Sequence, residues 1–346
     1  MSWRLSRFRT GDLVEVRSKD EILATLDGTG ALESMPFMPE MLQHCGRRFR
    51  VGAVAHKTCE TARRTLVTRR LESTVHLEGL RCDGSAHGGC EAACLLFWKD
   101  AWLRPVDDRQ SRSPRGPSAV PGRCTHEQLL AATHVDAAEP RYACQATRLW
   151  DAGAPLAWWN PRQYLRDIRT GNRSVGRVLR ALWFAALNAA VRRTPRGARL
   201  IRYVRTQSHR WLTGREVPDF QGLIERGKPT PAEPLGLKCG DRVRIKSKAE
   251  IVRTIDVTGR NRGLYFDIEM SRHCGTVATV HRSVTRIIDE DTGAMRHMKL
   301  PCIVLEGIVC VSDYSRCRLL CPRAIPSYWR EIWLERVDEI APAGGD

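Results

Sequence analysis

The sequence has no Gly-x-Ser-x-Gly elbow, no His-Glu-x-x-His pair, no phosphate loop ending in Gly-Lys-Ser/Thr and no dinucleotide-binding glycine turn. The hydrolase, zincin, P-loop and Rossmann chemistries that need those turns have no foothold, so any catalysis has to come from metal centres. The N-terminus, MSWRLSRFRTGDLVEV, lacks the apolar run of a secretory signal and moves straight into a polar turn and an alternating strand. Nor is there an apolar stretch long enough to span a bilayer, since Arg180 and Asn188 interrupt the best candidate. A cytoplasmic chain without a transmembrane segment is expected. Acid is in deficit, with 39 Asp and Glu against 56 Lys and Arg, a net charge of +17. That excess favours polyanions such as nucleic acid or anionic lipid. A composition 42% hydrophobic and 27% charged is that of a globular protein, and 346 residues suggest two or three domains.

What the chain does contain is itself twice. GDLVEVRSKDEILATLD from Gly11 matches GDRVRIKSKAEIVRTID from Gly240, 229 residues on. The offset holds through Phe37 and Phe266, Glu40 and Glu269, and His44-Cys45-Gly46 and His273-Cys274-Gly275. Both copies end alike, in FWKDAWL from Phe97 and YWREIWL from Tyr328. A tandem duplication is the simplest reading. Alternation at Val14 and Val16, and at Val243 and Ile245, predicts strands. Ser18 with Glu21, and Ser247 with Glu250, predict capping boxes on two short helices. The Trp98/Trp102 and Trp329/Trp333 pairs read as core anchors.

Between the copies Asp107 to Gly122 is rich in Pro, Ser and Gly, a linker. Asn160 with Pro161 starts a helix that Gly171 stops; Ser174 starts a second that runs to Pro195. The second is expected to pack against the protein, with a basic interfacial membrane helix as the alternative. The expected fold is α+β, with two small β-rich, SH3-like barrel cysteine-cluster domains flanking a helical middle segment. The boundaries are 1–106 for the first domain, 107–122 for a linker, 123–227 for the middle segment, 228–238 for a second linker and 239–340 for the second domain. The Gly-Asp opening of each copy resembles that of small SH3-like barrels over about ten residues.

The thirteen cysteines cluster. Cys45, Cys82, Cys90 and Cys94 are separated by 37, 8 and 4 residues; Cys274, Cys310, Cys317 and Cys321 by 36, 7 and 4. In a reducing compartment such clusters bind metal more often than they form disulfides, and four thiolates select iron–sulfur clusters or zinc. Each copy has only one close pair, whereas structural zinc sites favour two. Iron–sulfur is therefore ranked slightly ahead of Zn2+. The first copy adds Cys59, His44, His56, His76 and His87, of which only His44 has a counterpart, His273. A third site from Cys124, His126, His134 and Cys144 has no spacing logic, and Cys124, Cys144, Cys239 and Cys302 are left without a role.

The strings PEMLQHCG, HLEGLRCDGSAHGGCEAACLLFWKDAWL, NPRQYLRDIRTGN, NRGLYFDIEM and CPRAIPSYWREIWLERV resemble those of a family of uncharacterised bacterial proteins with duplicated four-cysteine domains. The resemblance spans nearly the whole chain and implies no activity. The residues leave three readings. One is an iron–sulfur oxidoreductase or electron-transfer component in a bacterial biosynthetic pathway, served by an electron-donor protein or a small-molecule substrate. The others are a zinc-stapled module that binds nucleic acid through its basic surface, and a zinc-stapled scaffold for a protein partner.

Overall fold

The computed structural model describes residues 3–61, 68–106, 124–136, 140–194, 197–315 and 318–337. Helix and strand are mixed, at 27% and 28%, the content of an α+β chain. The chain separates into two compact units. Unit 1 comprises Met1–Leu182, Arg286–His297 and Arg316–Ile325; unit 2 comprises Trp183–Thr285, Met298–Ser315 and Pro326–Asp346. Of the segment 123–227, residues to 182 therefore fall in unit 1 and the rest in unit 2.

The sheet of the first copy has five strands in the order Trp98–Lys99, Thr74–Leu77, Arg48–Val54, Leu13–Val16, Leu103–Pro105. The second has Pro326–Trp329, Met295–Val309, Val277–Ile288, Arg242–Ile245, Leu334–Arg336. The order is the same edge to edge. In each copy the two edge strands are consecutive in the chain, joined by the 3-10 turn Asp100–Trp102 or Glu331–Trp333. Three residues in the first copy and four in the second reach about 10 and 13 Å, whereas the edges of a flat five-stranded sheet would lie about 19 Å apart. Both sheets are therefore strongly curled, although among the described residues no ladder closes either into a barrel.

The cores fill those curls. Val14 pairs with Phe49 and Pro105, and Val243 with Ala278 and Arg336, so the alternating valines face inward and are fully buried. Phe37 packs edge-on against Trp98 and Trp102, with ring centroids 6.1 and 5.1 Å away. Phe266 does the same to Trp329 and Trp333, at 6.2 and 5.3 Å. A buried indole N–H usually finds a partner: Trp102 donates to Thr25 Oγ1 at 3.1 Å and Trp333 to Thr254 Oγ1 at 2.9 Å. Both capping boxes form, on helices Lys19–Leu23 and Lys248–Ile251.

The copies differ along their central hairpin. In the second, Val277–Ile288 and Met295–Val309 each run unbroken. In the first the ladder stops after Val54, and Lys57–Cys59 with Thr68–Arg70 moves into a separate sheet with Ala154–Leu156. At the break Lys57 is fully buried, its Nζ 2.6 Å from Asp167 Oδ2 and 3.0 Å from Leu319 O. Asp167 comes from the helix Pro161–Arg169, capped by Asn160 as the sequence predicts. His56 lies 3.4 Å from Asp167 Oδ1. Burial, and then the Lys57 charge, lowers its pKa to about 3, which keeps the ring neutral. Removing either partner of a buried pair strands a charge, so this bracket ties the helix to the sheet.

Candidate metal centre

The loop from Arg81 to Leu95 builds the site. An antiparallel bridge between those two residues closes its base, and Cys82 N donates to Cys94 O at 2.8 Å. Inside, Asp83 Oδ1 accepts from Ser85 N and Oγ at 2.9 and 2.7 Å, an Asx turn. Gly84 has φ +75°, and a Cβ there would sit 2.1 Å from Cys90 O, so no other residue fits. Its carbonyl accepts from His87 N and Gly89 N at 3.1 and 2.9 Å. So wound, the loop turns Cys82 and His87 toward Glu40, on the 3-10 helix Pro39–His44.

Cys82 Sγ lies 3.4 Å from Glu40 Oε1 and 3.3 Å from His87 Nε2, and His87 Nδ1 lies 3.7 Å from Glu40 Oε1. An imidazole ligates one ion through a single nitrogen, and one ligand atom from each of the three residues lies within 4.8 Å of the other two, within reach of the edge of about 3.5 Å of a tetrahedron with bonds of 2.0–2.3 Å. Glu40, Cys82 and His87 therefore form one group that could hold a metal ion, the only such group found among the described residues. Glu40 Oε2 and His87 Nδ1 are buried without a hydrogen-bond partner, a cost that proteins rarely leave uncompensated. Burial raises the Glu40 carboxyl pKa and drives that of His87 down to about 4. It raises the Cys82 thiol too, with the Glu40 charge adding to the effect. Without a cation, burial disfavours both the carboxylate and the thiolate; a divalent ion reverses that preference.

A cavity of about 30 Å³ adjoins the group, lined by Cys82 and His87 and by the thiols of Cys90, Cys94 and Cys144. Burial pushes Cys94 up to about 11 and Cys144 to about 12. Cys90 Sγ accepts from Ile288 N at 3.3 Å. Three members of the first predicted quartet thus share one wall. Cys45 packs against the core of its sheet instead, and Cys144, from the middle segment, joins the wall. A larger cavity of unit 1, about 630 Å³, is lined by residues such as Gln128, His134 and Arg148 and by none of these thiols.

The other candidates of the first copy lie apart from this group. His44 packs edge-on to Phe49 and Trp98. His76 Nδ1 is 2.9 Å from Leu96 O, its ring on Phe97. Cys59 is buried beside Cys321, whose Sγ accepts from Cys59 N at 3.1 Å; Arg323 Nη1 donates to Cys59 O at 3.1 Å. Cys124 is in the hydrophobic core and the His134 ring meets Tyr142.

Of the second quartet, Cys317 lies outside the described residues. Cys321 belongs to unit 1, and Cys274 and Cys310 to unit 2. Cys274 packs against its own core, and Cys310 Sγ is 3.3 Å from Ser312 Oγ. Cys239 is exposed, and buried Cys302 faces Arg330.

Glu40 was not among the residues singled out from sequence. Its signal was in the repeat, where Glu269 keeps an acid at the matching place. Among the described residues no helix is long and apolar enough to cross a membrane. No protein-family model, curated protein or solved structure matches this chain.

Proposed function

We propose that the chain is a zinc-stapled scaffold protein, its ion held in the first copy by Glu40, Cys82 and His87. The fourth ligand is a thiolate from the wall formed by Cys90, Cys94 and Cys144. What carries the reading is the three unlike donors of Glu40, Cys82 and His87, one atom from each within 4.8 Å of the others, with buried orphaned atoms on Glu40 and His87. Oxygen, nitrogen and sulfur in one set suit zinc, whereas a cluster takes equivalent thiolates. The adjoining cavity, about 30 Å³, takes one or two water-sized groups and no substrate, which favours a structural over a catalytic ion. The matching strand orders support a tandem duplication, with the second copy keeping Glu269 and Cys310 but no histidine in the loop from Cys310 to Cys321. The thiols of Cys82, Cys90, Cys94 and Cys144 are free, which suits a reducing compartment such as the cytoplasm.

One observation favours a second reading. Cys82, Cys90, Cys94 and Cys144 line a single cavity, and four thiolates are the usual ligands of an iron–sulfur cluster in an electron-transfer or redox protein. Metal and sulfide analysis with an absorption spectrum, on protein purified without oxygen, separates the two. The zinc reading expects one zinc per chain and no colour. Visible absorbance bleached by dithionite, with acid-labile sulfide, would replace it with the cluster; neither metal nor sulfide would end both.

A further inference from the structure

The helix Ala198–Thr213 carries its apolar side chains on the outside. Leu200, Tyr203, Val204 and Trp211 are 68%, 62%, 39% and 85% exposed. Their spacing of 3, 4 and 11 residues from the first sets them on one stripe of the helix. The opposite face is the protein-facing one. Ala198 and His209 are buried there, with the His209 ring between Phe184 and Tyr314 and its Nδ1 3.0 Å from Arg215 O. Arg205, on the same side, donates to Asn188 Oδ1 at 2.7 Å. The large apolar side chains of Leu200, Tyr203 and Trp211 thus face solvent while the polar His209 and Arg205 face the protein.

The charged residues of the helix itself have one sign. Arg199 and Arg210 border it, about 100° and 80° round the helix from its centre. Between Asp167 and Glu216 the chain has twelve arginines and no acidic residue. We propose that this helix is a docking surface for an anionic lipid bilayer, lying in the headgroup plane with Leu200, Tyr203, Val204 and Trp211 inserted and the arginines on the phosphates.

Apolar stripe and cationic border together are what an interfacial helix needs, and no described helix is able to span the membrane. A nucleic-acid backbone would satisfy the arginines but leave Leu200 and Val204 in water. A second copy of this face would set arginine against arginine. The inference is independent of the metal site.

The test is co-sedimentation of the full chain with phosphatidylglycerol/phosphatidylcholine vesicles and with pure phosphatidylcholine vesicles, at low and high salt. Binding is expected only on the anionic vesicles, weakening as salt rises. Leu200→Gln/Trp211→Gln should weaken it about tenfold or more, and Arg199→Gln/Arg210→Gln should flatten the salt dependence. All four side chains are solvent-exposed, so circular dichroism and metal content should not change. No binding, equal binding to both vesicle types, or full binding by the Leu200/Trp211 variant would overturn the proposal. So would tighter binding to a short DNA duplex, or a dimer that the variant dissolves while lipid binding persists.

Discussion

Glu40 and Glu269 occupy matching positions 229 residues apart, both are buried, and they do different work. In the second copy Glu269 Oε1 accepts from Tyr314 N and Ser315 N at 2.7 and 3.3 Å, so the loop after Cys310 is wound onto the carboxylate by its own backbone. In the first copy the equivalent loop is one residue longer between its outer cysteines. Gly84, Gly88 and Gly89, all at positive φ, wind it the other way out, and it offers Glu40 a thiol and an imidazole instead of amides. The framework supplies a buried acid in both places. Whether that acid caps a loop or stands beside ligands is decided by some twelve residues.

The comparison breaks most completely if the donors are removed. Cys82→Ser and His87→Ala should each reduce bound metal from one per chain to near none, whereas Cys310→Ser should leave it unchanged, read by metal analysis of the folded protein. Metal loss with Cys310→Ser would make the second copy a ligand site as well. Next in size is Gly84→Ala, which combines positive φ with a clash on Cys90 O. It should cost about 3 kcal/mol or more and release the metal, seen as a lower urea midpoint together with lost zinc.

Glu40→Gln and Glu269→Gln should separate the two roles directly. The first should weaken metal affinity about tenfold or more with little change in the stability of the metal-free chain. The second should leave affinity alone and cost about 1–3 kcal/mol, because two buried amides lose a charged acceptor. Chelator titration and denaturant unfolding on each variant read both quantities. Equal loss of affinity in both variants would erase the distinction.

The repeat made most of the framework legible before any coordinates. Alternation at Val14 and Val243, the serine capping boxes and the paired tryptophans are local signals, and each specifies its element without help from distant chain. The site was legible only in part. Cys82, Cys90 and Cys94 lie on one loop, so spacing found them. Cys144 reaches the same wall from fifty residues on, and Glu40 reads locally as the polar side of a short helix. The broken hairpin left no trace either, since Lys57 is buried by Asp167, 110 residues away, and no pattern of period two encodes such a partner. The helix Ala198–Thr213 was not among those expected from the sequence, and its outward stripe could not have been, because periodicity gives a face and not its direction.

The smallest expected effect lies at His76, whose place in the second copy is taken by Val304. His76 sits opposite Ala53 in the ladder, with Nδ1 2.9 Å from Leu96 O and almost no solvent exposure. Burial lowers its pKa to about 4, against about 6.5 in an unfolded chain. The unfolded state therefore takes up the proton first. The contribution of His76 is complete above about pH 6.5 and is lost as pH falls toward 4, a total of about 3 kcal/mol. Valine carries no such proton. His76→Val should cost about 1 kcal/mol at pH 7, where Leu96 O loses its donor, and should flatten the fall in stability between pH 7 and pH 5. Urea unfolding at the two pH values reads both effects. The same slope in variant and parent would mean that another group sets the acid sensitivity, and that a histidine at this place is tolerated as quietly as the valine in its twin.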